Sequence, residues 1–394
     1  MDTVGILMLL EGVVALTPPK YRFDRLQSVL RGWPGFGYRY DVDVVRYDDT
    51  NTQIELAFDA LAQGRYAQLW LIGTGQFSGA QLIGKRLTAP HREHIHAFMA
   101  GGGGVFATGD HESVGATLCD SVARVAQMRT WSGPPSEGGP DRIDTGVGSP
   151  WPYRRGKIVR QGVAGGPANL PAMDLREVHP LDEDETVKTI WPSLVGGKAH
   201  PLMQIPTGGD WPPATIRLLP DHQHEGACHE SVPDDVLRDT FESVSPAVVA
   251  WGAAVGYDML PPGRPRVYGT VACHDPGTRS GRVVVDSTFH HLTDENTEMP
   301  RMTPAWYHIE QYVLNIANWL TGARAENAIR QFLAQNDATL DAKELGWRAI
   351  AASPAYRRAI DLAAQARIPR DMLPGLLDLR PALPPPAASA SRSA

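Results

Sequence analysis

The sequence predicts an α/β protein with a doubly wound, mainly parallel β-sheet. In the first third of the chain, short apolar runs of strand length alternate with segments that have helical spacing. The first run, residues 3–10, is apolar throughout, which is typical of a parallel strand covered by helices on both faces. Polar and glycine-rich residues follow these runs directly, and in such sheets ligands bind beyond the carboxyl ends of the strands.

Each predicted element has a local reason in the sequence. Residues 21–31 place apolar side chains at helical spacing, residues 41–47 are rich in β-branched side chains, and the polar run 48–51 offers a cap for the following helix. The amphipathic helix 306–320 is expected to cover the sheet. The predicted strands are 3–10, 41–47, 68–72, 105–108, 214–219, 247–255, 266–272 and 281–287, and the predicted helices are 21–31, 53–62, 91–100, one starting near Glu112, and 306–320.

Composition divides the chain into three parts. Residues 1–320 are predicted to form the α/β domain, interrupted at about 131–211 by a long irregular insertion rich in Gly, Pro and charged residues, which is typical of a lid or binding loop. Residues 321–380 are rich in Ala, Arg and Leu and are predicted to be a helical appendage for packing, homo-oligomerisation or binding of a protein partner. The low-complexity residues 381–394 are expected to be a disordered tail.

Bulk composition narrows the class of protein. Of 394 residues, 42% are hydrophobic and 21% are charged, as in an ordinary globular protein. The net charge of −7, with acids and bases interspersed, argues against nucleic-acid binding. No apolar run reaches transmembrane length, and the apolar opening contains Asp2 but no basic segment, so it reads as a buried strand. Three cysteines are too few for a disulfide framework, and we expect a cytoplasmic protein.

The turn after the fourth predicted strand is the centre of the functional prediction. Small residues on both sides of this turn let the backbone pass sharply from strand to helix. Such an elbow projects one side chain over the carboxyl edge of the sheet and leaves the first helical N–H groups free for a ligand. The projecting residue here is Asp110 or His111, in place of the Ser or Cys of a nucleophile elbow.

Histidines are concentrated at predicted strand ends. Because those ends meet at one edge of a doubly wound sheet, imidazoles and carboxylates distant in the sequence can form a divalent-metal site, for zinc or a similar ion, or an acid–base pocket. A polar surface loop is the alternative for the densest group, residues 221–225. We expect His229 and His274 to be hydrogen-bonded loop histidines, and His91, His94 and His96 to be surface or structural residues of a helix. The strand-end histidines are His111, His222, His224, His229, His274, His290 and His291.

Two stretches carry a resemblance to a known family: GGGVFATGDH at 102–111 and GRVVVDSTFHH at 281–291. With the order of elements over residues 1–320, they resemble the class I glutamine amidotransferase-like superfamily, and its trehalose-utilisation (ThuA-like) branch most. The resemblance implies a flavodoxin-like fold with a pocket at the elbow.

It does not imply amidotransfer, because a glutaminase needs a Cys at the elbow, paired with a His and an acid. His290 or His291 fits the place of the histidine, and Asp294 or Glu295 that of the acid. Cys119, however, lies about two helical turns beyond the elbow, at about 1.5 Å of rise per residue.

Two principal hypotheses follow. The first is a hydrolase for a small polar substrate, such as a sugar derivative, at a His-rich pocket, where a bound metal would acidify water and Glu112 or Glu225 would be the general base. The second is a catalytically degenerate amidotransferase-like protein that binds a ligand or partner. A third keeps Asp110 as a covalent nucleophile. The candidate catalytic residues are His111, Glu112, Asp110, His290 and Glu225; the substrate-binding residues are Gly75, Gln76, Gly109 and His291; and the metal ligands are His222, His224 and His111.

Overall fold

The computed structural model describes separate stretches of the chain that together contain the central sheet and the helices against it. They are residues 2–11, 21–32, 38–47, 52–74, 76–78, 81–83, 86–110, 115–129, 142–143, 187–195, 198–205, 214–221, 224–230, 232–254, 266–277, 280–298, 300 and 305–336. The predicted tail at 381–394, the predicted helix cap at 48–51 and most of the predicted insertion lie outside these residues.

The described strands include long members of one sheet and several short two-stranded pairs. In chain order they are β1 (Asp2–Glu11), β2 (Tyr38–Tyr47), β3 (Gln68–Ile72), β4 (Gln76–Ser78), β5 (Gln81–Ile83), β6 (Gly104–Thr108), β7 (Arg142–Ile143), β8 (Val187–Thr189), β9 (Trp191–Pro192), β10 (Leu194–Val195), β11 (Lys198–Ala199), β12 (Gln204–Ile205), β13 (Ala214–Thr215), β14 (Leu218–Pro220), β15 (His224–Glu225), β16 (Ala247–Ala254), β17 (Arg266–His274) and β18 (Val283–Asp286).

The described helices range from single turns to one long helix. They are α1 (Asp24–Gly32), α2 (Gln53–Ala62), α3 (Ala89–Ala100), α4 (Ala116–Cys119), α5 (Val125–Met128), α6 (Asp234–Thr240), α7 (Asp294–Thr297) and α8 (Ala305–Asn336), with 3₁₀ turns at Pro201–Met203 and Phe289–His291. None of the helices in these stretches combines the length and the apolar character that crossing a membrane requires.

The central sheet is large and mostly parallel, as predicted. Its described strands run in the order β2-β1-β3-β6-β18-β17-β16-β9. The five strands from β2 to β18 are mutually parallel, with Ile72 opposite Thr108 and Thr108 opposite Asp286 at their carboxyl ends. The remaining three continue the sheet with antiparallel pairings. The last long strand in the chain, β18, lies between β6 and β17, so the sheet is mainly but not wholly parallel.

Helices cover both faces of the sheet, which explains the uniformly apolar strands. Alternate residues of β1 belong to two different cores: Ile6 and Met8 pack with side chains of α1 and α8, while Leu7 and Leu9 pack with α2 and α3. A fully buried strand needs apolar residues at every position, because neither face meets water. The same alternation continues through β3 and β6, so the sheet forms the middle layer.

Three predicted elements differ from the structure. The described helix after the elbow begins at Ala116 and has four residues, and Gly115 before it has φ = +91°. The predicted strand 214–219 is divided into β13 and β14. The helix expected to end at residue 320 continues to Asn336, so the predicted division at 320/321 falls inside one helix. The domain organisation itself stays a prediction.

Candidate functional site

Polar residues meet at the carboxyl edge of the parallel strands. β1 ends at Glu11, whose side chain accepts the backbone N–H of Thr74 at 3.2 Å beyond the end of β3. Asp110 follows β6 by two residues, and the segment from Ser287 to His291 follows β18. Adjacent parallel strands thus bring these segments together, and the Phe289 N–H donates to the carbonyl oxygen of Gly109.

The first feature of this edge is a carboxylate–imidazole pair. Asp110 Oδ2 lies 3.5 Å from Nε2 of His290, and the two side chains are only 4% and 6% exposed. The hydroxyl of Thr288 donates to the other oxygen, Oδ1 of Asp110, at 2.8 Å. This bond orients the carboxylate, so that Oδ2 is the oxygen directed at the histidine. Asp110 and His290, both predicted as site residues, do come together.

The other side of the His290 ring faces an amide. Nδ1 of His290 lies 3.2 Å from Oδ1 of Asn296, which belongs to α7, the short helix after the 3₁₀ turn. The acids predicted for this place are elsewhere: Asp294 accepts the backbone N–H of Arg25 at 3.0 Å, and Glu295 pairs with an arginine side chain. The predicted acid at Asp294 or Glu295 was wrong, because the short helix α7 turns position 296 toward the histidine.

His291 lies in a second, fully enclosed network. Its Nδ1 is 2.7 Å from Oδ1 of Asp286, and Oδ2 of the same carboxylate accepts the hydroxyl of Tyr312 at 2.6 Å. Nε2 of His291 points toward Oε2 of Glu225 at 3.8 Å, beyond hydrogen-bond distance, and makes no hydrogen bond. Neither His291 nor Glu225 has an exposed side-chain surface.

Glu225 is the second carboxylate of this network. Its Oε2 accepts a hydrogen bond from Lys188 Nζ, from the Tyr268 hydroxyl at 3.1 Å and from the Ser287 hydroxyl at 3.0 Å. Tyr268 reaches this edge because β17 is antiparallel, and Lys188 arrives on β8. For Oε2 of Glu225 to act as the predicted general base, one of these three donors would have to be displaced.

Charge balance explains how four ionisable groups are tolerated inside the protein. Burial alone lowers the pKa of His291, but the Asp286 charge and hydrogen bond and the nearby Glu225 outweigh burial, and the net pKa is raised. His291 is therefore favoured as a cation, and with Lys188 it offsets the two carboxylates. Burial and the Asp286 charge raise the pKa of Tyr312 well above its ordinary value, which keeps its hydroxyl a hydrogen-bond donor.

A buried arginine ties the network to the β18 end. Nε and Nη2 of Arg129 donate to the Ser287 carbonyl at 3.2 and 2.9 Å. The backbone N–H of Gly226 donates to the same oxygen at 3.1 Å, and a Cβ at Gly226 would lie 1.8 Å from the Arg129 guanidinium. A larger residue at 226 would therefore displace the Arg129 guanidinium from the end of β18.

Cys119 is close to this edge but enclosed. Its Sγ lies 3.8 Å from the Thr108 carbonyl and 4.0 Å from the Leu71 carbonyl. Burial, followed by the charge of Glu11, raises the pKa of the Cys119 thiol well above its usual value. A thiol in this environment is not a nucleophile at neutral pH.

The remaining predicted site residues are described only in part. Gln76 lies in β4 with its backbone opposite Ile83, and His224 lies in β15 with its backbone opposite Ile143. Outside the described residues lie His111, Glu112, His222 and Gly75. The expected convergence of His111, His222, His224 and His290 in one pocket therefore stays a prediction. In the stretches that the structure does describe, no group of three or more His, Cys, Asp or Glu residues is arranged to hold a metal ion.

His274 lies at the opposite edge of the sheet, contrary to the expected convergence. It ends β17, but β17 is antiparallel, so His274 pairs with Val283 at the start of β18. There, Nη1 of Arg124 lies 3.2 Å from its Nδ1, and burial followed by the Arg124 charge lowers the pKa of His274 to about 4. His274 is hydrogen-bonded, as expected, but it ends a strand and does not lie in a loop.

Several residues around the Asp110–His290 pair and in the His291 network were not predicted from the sequence, although two of them stand out in it. Asp286 interrupts an apolar strand, and Lys188 is a lone charge within a short extended segment; a charge at a buried position needs a partner. Tyr268, Tyr312 and Asn296 gave no such signal, because aromatic and amide side chains are ordinary in strands and at helix starts.

No protein-family model matches the chain, and no curated protein sequence does. A solved structure, the mmIFT52 N-terminal domain, is similar to this chain with a TM-score of 0.38 at 12% sequence identity, covering 80% of this chain and 97% of that one. A similarity at this level carries no argument about fold or function.

Proposed function

We propose that the protein is a hydrolase that acts on a small polar substrate at the carboxyl edge of its sheet, with Asp110 and His290 as an acid–base pair. The observation that carries the proposal is the 3.5 Å separation of Asp110 Oδ2 and His290 Nε2, on the segments after two adjacent parallel strands. Ligands bind at this position in open α/β sheets.

The pair has the chemistry that hydrolysis requires. His290 Nε2 takes a proton from a water molecule as the water oxygen attacks the substrate, and Asp110 stabilises the imidazolium that forms. The bond from the attacked centre to the leaving group then breaks, and the same proton passes from Nε2 to the leaving group. Positioned proton transfer of this kind contributes about 10²–10⁴-fold to a rate.

The substrate class and the fold family belong to the proposal. The motifs at 102–111 and 281–291 resemble those of ThuA-like proteins, which favours a carbohydrate-derived substrate. The strand order β2-β1-β3-β6-β18 supports a flavodoxin-like winding for the parallel part of the sheet. The three free cysteines support a reducing, cytoplasmic location.

A divalent metal held by His111, His222 and His224 is a separate proposal. It is supported by the His-x-His spacing at 222–224 and by His111 following the elbow. Elemental analysis of the purified protein tests it, and less than about 0.1 equivalent of every transition metal after purification without chelators would contradict it.

The test of the hydrolase is a comparison of His290→Asn and Asp110→Asn with the wild type on a panel of chromogenic glycosides, esters, amides and phosphates. We expect each variant to lose about 10²-fold or more in kcat on the substrate that the wild type turns over. His96→Asn is the matched control, because His96, on α3, accepts the backbone N–H of Ala123, away from this edge. Undiminished turnover in both site variants, with unchanged thermal stability, would refute the proposal.

A ligand- or partner-binding protein without catalysis is the second candidate. The observation that favours it is the enclosure of the pair: side chains that are 4% and 6% exposed admit a substrate only if neighbouring segments open. In this case the Asn variants at 110 and 290 leave partner co-purification unchanged, while deletion of residues 322–394 abolishes it. Loss of turnover in the site variants distinguishes the hydrolase from this candidate.

A further inference from the structure

The start of α1 is hydrogen-bonded to α7, the short helix that carries Asn296. The backbone N–H of Arg25, in the first turn of α1, donates to Oδ1 of Asp294 at 3.0 Å, and the backbone N–H of Asp294 donates to the carbonyl oxygen of Arg22 at 2.8 Å. The first N–H groups of a helix have no partner within that helix, so Asp294 caps α1 from a distant part of the chain. These two bonds hold α7 against the start of α1.

The side chain of Arg25 adds three contacts to α7 and to the residue that follows it. Nη1 donates to the carbonyl oxygen of Asp294 at 2.7 Å and to the hydroxyl of Thr297 at 3.2 Å. Nη2 pairs with the carboxylate of Glu298, and the Arg25 side chain is only 18% exposed. A planar guanidinium presents its donors in fixed directions, so it can hold several acceptors at once, whereas an ammonium group is a single point charge.

The same two segments contact His290. From α7, Oδ1 of Asn296 lies 3.2 Å from Nδ1 of His290. From the stretch before α1, the ring of Tyr21 meets the imidazole edge to face, with ring centroids 5.2 Å apart and an angle of 88° between the planes. Asn296 lies directly before Thr297, which Arg25 holds. A displacement of α7 would therefore move the amide oxygen that faces the histidine.

We infer that Arg25 is a positioning residue, which holds α7 in the place from which Asn296 contacts His290. This inference rests on the proposed hydrolase for its catalytic meaning, because His290 is the residue that transfers the proton there. The placement of the imidazole, however, is a property of the folded protein and can be measured without a substrate.

The direct test is the imidazole NMR spectrum of full-length protein labelled at histidine, with the His290 signals identified by their loss in His290→Asn. We expect Arg25→Met to shift these signals, while those of His91, on α3, stay in place. Arg22→Met is the matched control, because Arg22 pairs with Glu295 at 3.6 Å with side chains 60% and 37% exposed, and such a pair constrains its partners little. Unmoved His290 signals in Arg25→Met, or an equal shift in Arg22→Met, overturn the inference.

A conservative variant supports the same test. Arg25→Lys keeps the charge but not the set of directed donors, so we expect a smaller shift of the His290 signals in the same direction. If Arg25→Met does not fold, as judged by circular dichroism, Arg25→Lys is the deciding variant. In that case, His290 signals at their wild-type positions in Arg25→Lys overturn the inference.

Kinetics supply the second readout. Arg25→Met is expected to lower kcat by about 10–10²-fold with KM changed less than about twofold, because a misplacement of about 1 Å can cost on the order of 10²-fold in rate. Arg25→Lys should recover part of this loss, and Arg22→Met should keep the wild-type kcat. An unchanged kcat in Arg25→Met, on a substrate that the wild type turns over, contradicts the positioning role alone. If the His290 signals shift as expected but the wild type turns over no panel substrate, the hydrolase proposal fails and the placement of His290 by Arg25 stands.

Discussion

Replacing Lys188 with methionine tests the buried charge balance behind the site. Lys188 is 7% exposed in its side chain and pairs with Glu225, which is fully enclosed. In the variant, Glu225 keeps two neutral hydroxyl donors, at 3.0 and 3.1 Å, but loses its bonded cation. Removing one partner of a buried ion pair leaves an uncompensated charge in a medium of low polarity, which costs about 3–5 kcal/mol of unfolding free energy.

Two further variants separate the cost of the unpaired buried charge from other effects of replacing a lysine with methionine. The double variant Lys188→Met/Glu225→Gln removes both charges and should lie closer to the wild type than Lys188→Met alone, because a neutral amide needs no cation. Arg65→Met is the matched surface control: Arg65 pairs with Asp43 at 2.7 Å, with side chains 59% and 36% exposed. Exposed pairs contribute about 0–1 kcal/mol.

The free energy of unfolding of all four proteins is measured by urea unfolding at pH 7, followed by circular dichroism and fitted by linear extrapolation. The expected order of stability is wild type, then Arg65→Met and the double variant, then Lys188→Met. The reasoning is refuted if Lys188→Met loses no more than Arg65→Met, or if the double variant is less stable than Lys188→Met.

Three further predictions concern the same part of the molecule. The raised pKa of His291 means that its contribution to stability is fully present below the ordinary histidine pKa of about 6.5 and is lost as pH rises through the folded-state pKa; urea unfolding against pH should show this decline in the wild type and not in His291→Asn. A Cβ on Gly73 would lie 2.7 Å from the backbone of Gly115, so Gly73→Ala should cost about 1–3 kcal/mol, whereas Gly32→Ala, where nothing lies within 4 Å, should leave the urea midpoint unchanged or raised. Because burial raises the pKa of all three cysteines, a thiol reagent should label them slowly in native protein and all three rapidly in denaturant; fast native labelling would contradict their enclosure.

The central sheet and its helices could largely be read from the sequence. The predicted helix 53–62 and strand 68–72 have the observed bounds, because uniform burial in strands and one-sided burial in helices leave different local patterns. The same local pattern explains why Asp110 and His290 lie together: each comes soon after a strand of the parallel set, and parallel neighbours carry their carboxyl ends to one edge.

Strand direction could not be read in this way. The apolar pattern of β17 is the same whichever way the strand runs, yet its antiparallel direction sends His274 to the far edge and brings Tyr268 to the site. The pairing of Lys188 with Glu225 likewise joins short strands whose partners are distant in the chain.

What the sequence by itself determined is the class of fold, the parallel half of the sheet and the segments that meet at its carboxyl edge. Only the tertiary structure decided which polar atoms face one another there: Asn296 rather than Asp294 or Glu295 beside His290, and His291 between Asp286 and Glu225. Burial is a local property that repeats with the period of a helix or strand, whereas a hydrogen bond depends on the approach of two side chains from unrelated parts of the chain.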